Sequence, residues 1–83
     1  MEIRTIDAQY NLLKFELAVI EGESTNTTIL EMLLDYPLED FDERFFNDKI
    51  FLLVVNNEFY TFKNFTVNEF YVEDEFLKVI CVK

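Results

Sequence analysis

The sequence predicts an α+β domain, an antiparallel sheet of about five or six strands with one or two short helices ahead of a C-terminal meander. Residues 12–21 and 49–82 alternate or run apolar in the manner of strands. Residues 29–46 instead space their large apolar groups at helical intervals. The only glycine, Gly22, and the only proline, Pro37, punctuate this middle stretch. With 83 residues the chain is one domain, 1–83.

Residues 2–8 alternate weakly around Ile3 and Ile6, which predicts an edge strand. Residues 12–21 alternate better. Phe15, Leu17 and Val19 face one way, with Lys14 and Glu16 opposite, and Gly22 ends the strand. Ser24 or Thr25 then suits a helix cap, and Ile29, Leu30, Leu33 and Leu34 follow at helical spacing. That helix should stop near Tyr36, because a residue before proline avoids the helical region. Pro37 suits the first position of a second short helix. On it Leu38, Phe41 and Phe45 form a core stripe, Glu39, Asp42 and Phe46 a second, and Asp40 and Glu43 a third.

Residues 49–55 are β-branched and apolar on both faces, as expected of a central strand. Asn56-Asn57 predicts a two-residue turn that pairs Leu53 with Tyr60 and Phe51 with Phe62. A second hairpin joins 65–72 to 76–82. With Glu73-Asp74 as its turn, Tyr71 meets Phe76, Phe70 meets Leu77, Val67 meets Ile80 and Glu69 meets Lys78, and a turn shifted by one residue is the alternative.

Composition removes many functions. With no histidine, Ser-His-Asp and Cys-His catalysis and His-based metal ligation are excluded. One glycine excludes a phosphate-binding loop. The lone Cys81 reads as a core or edge filler. Asp40, Asp42 and Glu43 lack the alternation and central glycine of a calcium loop. No enzyme activity, cofactor or metal is therefore expected. The start, MEIRTIDAQ, has no basic stretch before an apolar run, and no run reaches the ~18 residues needed to span a bilayer. A cytoplasmic protein of a bacterial host cell is expected, with no membrane partner.

The net charge of −10 opposes direct nucleic-acid binding and favours basic partners. It is also segregated. Residues 31–48 carry a net −6, residues 69–75 a net −4, and the remainder of the chain balances. Asp35 to Asp48 reads DYPLEDFDERFFND, six acids against Arg44, with Tyr36, Phe41, Phe45 and Phe46 among them. Residues 69–75 read EFYVEDE. Simpler roles exist for individual acids. Glu39 and Asp40 suit a helix's first turn, Glu73, Asp74 and Glu75 suit a solvated turn, and Glu69 suits a cross-strand partner of Lys78.

In size, charge, lack of histidine and placement of these two segments, the chain resembles small acidic phage-encoded inhibitors that mimic nucleic acid, among them anti-CRISPR, anti-restriction and other anti-defence proteins. The resemblance rests on charge pattern, with no motif matched residue by residue. Members share no common fold, so it implies nothing about architecture and carries over no catalytic residue. It implies a non-enzymatic inhibitor that binds the basic nucleic-acid-binding surface of a nuclease, CRISPR effector or nucleoid protein. The partner-binding set is then Asp35, Tyr36, Glu39, Asp40, Asp42, Glu43, Phe46 and Asp48, with Glu73, Asp74 and Glu75 as a second patch. The alternatives are an immunity or antitoxin protein neutralising a basic toxin, and a homodimer or larger homo-oligomer joined through surplus aromatics. The inhibitor reading requires both acidic segments to share one surface.

Overall fold

A computed structural model describes residues 1–5, 9–47 and 50–83. It corrects the α+β prediction. Among the described residues there is no α-helix, and seven strands form one antiparallel sheet. The strands are β1 (Glu2–Arg4), β2 (Gln9–Glu21), β3 (Asn26–Leu34), β4 (Ile50–Val55), β5 (Glu58–Lys63), β6 (Thr66–Glu73) and β7 (Phe76–Val82). They lie in the order β5-β4-β1-β2-β3-β7-β6.

The predicted first helix is β3. Its residues alternate: Leu30, Met32 and Leu34 are fully buried, while Ile29, Glu31 and Leu33 turn to the other face and are only half-buried. β3 lies between β2 and β7, and both its faces carry apolar groups, Leu30, Met32 and Leu34 on one and Ile29 and Leu33 on the other. A short apolar run of that kind satisfies helical spacing by accident, and the β-branched Thr27, Thr28 and Ile29 favour the strand.

The predicted second helix is two separate 3-10 turns, Leu38–Asp40 and Glu43–Phe45. Pro37 caps the first turn from an extended conformation, and Phe41 breaks out of it with ψ 129°. Asp42 is extended again and accepts a bond from the Arg44 amide. Phe45 and Phe46 are consecutive, yet only 4% and 0% exposed. On a helix, neighbours project about 100° apart and could not both reach the core so fully.

The predicted edge strand is not an edge: β1 lies between β2 and β4. Residues 6–8 of that prediction, and Lys49 of the next strand, lie outside the described residues. The C-terminal half is no meander, because β4–β5 and β6–β7 are separate hairpins at opposite ends of the strand order. The first hairpin has the predicted turn and register, with Asn56 and Asn57 at φ 50° and 66°. In the second, the turn is one residue later, at Asp74-Glu75, with φ 51° and 71°. Val72 then opposes Leu77, where the predicted register would have set it against Glu75. Shifting a hairpin turn by one residue moves the pairing by two, so every side chain keeps its face.

Two residues, Asn64 and Phe65, connect β5 to β6, although these strands are the two edges of the sheet. A flat seven-stranded sheet would separate its edge strands by roughly 29 Å, whereas this connection reaches at most about 11 Å. The sheet is therefore rolled up. The bend lies in β2, whose Gln9–Asn11 segment pairs with β1 and whose remainder pairs with β3 across an irregularity at Leu12/Lys14. Ile3, Phe51 and Leu53 from one half face Leu30, Met32, Leu77, Val79 and Cys81 from the other, all 0–1% exposed. Phe46 stands edge-on to Phe51 at 5.3 Å, and Phe62 links Phe51 to Phe65 at 5.6 and 5.5 Å.

Beyond β7, β2 and β3 continue as a two-stranded arm that turns at Gly22. Here the Gly22 amide bonds the Thr25 carbonyl at 2.8 Å, and a Cβ at Gly22 would meet that oxygen at 2.6 Å. Gly22→Ala is expected to speed amide exchange in residues 19–28 while leaving the core amides unchanged. Equal loosening of both regions would contradict a local role for this glycine.

Burial pushes the Cys81 thiol from its usual 9 up to about 12, and burial followed by the Tyr36 bond pushes Tyr10 up to about 12. The folded state thus holds these protons more tightly than the unfolded state. Stability is expected to fall as pH rises through the window from 9 to about 12. At about pH 8 the folded thiol should resist an aromatic disulfide reagent and react fully in denaturant; fast reaction of the native protein would contradict its burial. No helix among the described residues is long and apolar enough to cross a membrane.

Candidate functional site

The segment from Asp35 to Asn47 crosses from β3 to β4. Its aromatic residues point inward and pin it at separate places. Tyr36 lies 4.2 Å from Tyr10 on β2, and Phe45 lies 4.5 Å from the same ring. Phe41 lies 5.0 Å from Phe70 on β6. The acids beside and between these anchors are left outside: Asp35, Glu39, Asp40, Asp42 and Glu43 are all exposed. The alternation of acids and aromatics is thus an alternation between solvent and core.

Two local bonds shape this segment. The Tyr36 hydroxyl donates to the Asp40 carbonyl at 3.3 Å, tying the first 3-10 turn. The Asp42 carboxylate accepts from the Arg44 amide at 2.9 Å and from its guanidinium at 3.1 Å, which offsets part of its charge. No protein-family model, curated protein or solved structure matches the chain.

The second acidic segment is reached through strand register. Leu34 at the end of β3 pairs with Leu77 on β7, so Asp35 leaves β3 one strand away from the residues that follow the Asp74-Glu75 turn. Asp74 and Glu75 are exposed on that turn. The two segments therefore start from adjacent strands at the same end of the sheet. Glu73 is half-buried and 3.8 Å from Lys78, which also lies 3.4 Å from Glu31. Glu73 is thus partly neutralised, and Glu31, counted with the first segment by sequence, sits instead on a strand face.

Two other members of the predicted set, Phe46 and Tyr36, fall elsewhere, and a third is not among the described residues. Phe46 is fully buried and forms no part of the surface. Tyr36 is half-buried beneath the acids, as an anchor. Asp48 lies outside the described residues. Sequence reasoning also missed a surface: Phe70, Tyr71 and Val72 on β6 are 36%, 43% and 53% exposed. Cross-strand pairing alone does not show this, and only the strand order reveals that β6 is an edge.

Proposed function

We propose that the chain is a non-enzymatic, protein-binding inhibitor whose acidic end occupies the nucleic-acid-binding surface of a basic partner. The observation that carries this reading is the departure of both acidic segments from adjacent strands at one end of the sheet. Carboxylates anchored there by buried aromatics offer fixed acceptors to arginine and lysine groups that otherwise hold phosphates. Glu39, Asp40, Asp42 and Glu43 are the main contacts, with Asp35, Asp74 and Glu75 extending them. The partner classes are a nuclease, a CRISPR effector or a nucleoid protein.

The test is capture of partners from bacterial extract on the immobilised chain at low salt, then competition with duplex DNA. Duplex DNA should displace the captured protein, and the complex should weaken steeply with salt, since surface charge is screened within about 10 Å at 0.1 M. Capture that neither DNA nor salt disturbs would defeat the proposal. One observation favours a second reading, a homo-oligomer. Val19 and Ile20 on the arm and Leu17 at its base are 57%, 56% and 47% exposed. A monomer in sedimentation at micromolar concentration would dispose of it.

A further inference from the structure

β6 is an open edge, and we infer that it docks an extended basic segment of the partner by strand addition. This rests on the proposed function and specifies where and in what conformation the partner binds. Asp74 and Glu75 both have positive φ, which makes a two-residue primed turn. Glu73 and Phe76 beside it form a hydrogen-bonded pair, and such pairs alternate along an antiparallel ladder. Tyr71 and Glu69 thus bond to β7, whereas Phe70 and Val72 direct their N–H and C=O groups away from it. Among the described residues no other backbone group reaches them. Higher on the same strand, Asn47 Oδ1 accepts from the Val67 amide at 2.8 Å and covers that part of the edge. The opening is confined to the lower half.

The side chains match this opening. Phe70 and Val72 face inward, opposite the buried Val79 and Leu77, yet are 36% and 53% exposed because nothing follows β6 in the sheet. Phe41 forms the far wall, 5.0 Å from Phe70. An added strand would bond the free amides of Phe70 and Val72 and place apolar residues over these rings. Its alternate residues would lie beside Glu69 and Glu73 on the outer face. That face carries Glu69 and Glu73, with Lys78 opposite Tyr71 offsetting only part of the Glu73 charge, and Asp74 and Glu75 follow on the turn, so those alternate residues should be lysine or arginine. A second copy is a poor occupant. Antiparallel pairing of two β6 strands about Tyr71 would oppose Glu69 of one copy to Glu73 of the other, and directly opposed like charges are destabilising. The opposite edge, β5, ends in Lys63 and lacks such an acidic lining.

The test uses a synthetic peptide in which lysine and valine alternate, with a block-ordered peptide of equal composition and oligolysine as comparators. Amide exchange of the intact chain is read at Phe70 and Val72. The alternating peptide should slow both by roughly tenfold or more and bind roughly tenfold tighter than its block-ordered isomer. Val72→Pro removes only an outward donor and should abolish that protection without changing the melting temperature. If the variant fails to fold, exchange in the wild type decides alone. Equal binding of all three peptides with no protection at Phe70 and Val72 would overturn edge docking and leave the acidic-surface proposal standing. No binding of any basic peptide at low salt would overturn both. Protection that appears when the chain alone is concentrated would make a second copy the occupant and overturn the proposal.

Discussion

Phe46→Ala is expected to cost about 3–5 kcal/mol of folding stability. The ring is fully buried and meets Phe41, Phe45 and Phe51 at 5.7, 4.8 and 5.3 Å. Its removal leaves a cavity where the β3–β4 segment joins the rolled sheet. An 83-residue domain has only about 4–12 kcal/mol in total, so much of the stability is lost. The melting temperature should fall by about 15 °C or more, measured by circular dichroism. Amide exchange across residues 36–47 should also accelerate, because Phe46 holds that segment down. A variant that melts within a few degrees of wild type would show that this residue is a surface group and that the segment is anchored in some other way.

Neutralising Glu39, Asp40, Asp42 and Glu43 together, as E39Q/D40N/D42N/E43Q, is expected to weaken partner binding by about a thousandfold. Even ~1 kcal/mol for each engaged carboxylate sums to that order. The fold should survive, since all four side chains are exposed and asparagine at position 42 retains the cap on the Arg44 amide. The control is E16Q/E21Q/E23Q/E58Q, which removes the same amount of charge from exposed sites elsewhere. Both variants carry a net −6, against −10 for the wild type. If placement matters, only the first loses binding and flattens the salt dependence. Equal losses would reduce the acidic surface to a bulk-charge effect, and an unchanged first variant would remove this segment from the interface.

Much of the architecture was legible where local chemistry dominates. Asn56-Asn57 specified a primed turn, and the pairing of Phe51 with Phe62 followed from it. Alternation put Phe15, Leu17 and Val19 on one side of β2, but of these only Phe15 is half-buried, and Leu17 and Val19 are exposed instead of forming the buried face that the pattern predicts. β3 was illegible because it is an interior strand: with apolar groups on both faces, its period of two is hidden. The 3-10 segment misled because Leu38, Phe41 and Phe45 do all turn inward, as a helix would require, while the unbroken burial of Phe45 and Phe46 is set by two different strands, β2 through Tyr10 and β4 through Phe51. For the site, charge segregation located both acidic segments. Their adjacency needed the Leu34–Leu77 register, which joins residues too distant in sequence for any local pattern to encode. The open edge of β6 is likewise a property of strand order alone.

The pairing of early strands with late ones has a kinetic consequence. β1 takes one partner from β4, through Ile3 with Leu53, and β3 takes one from β7, through Leu30 with Cys81. Neither half of the core can close until the strands beyond residue 50 exist. At roughly 5–20 residues per second, β3 and its apolar face of Leu30, Met32 and Leu34 emerge from the ribosome some seconds before β7 does. Such long-range pairing also places refolding in the millisecond-to-second range of β-barrels. The carboxylates of residues 35–43 are made during that interval, and their mutual repulsion helps keep nascent chains apart.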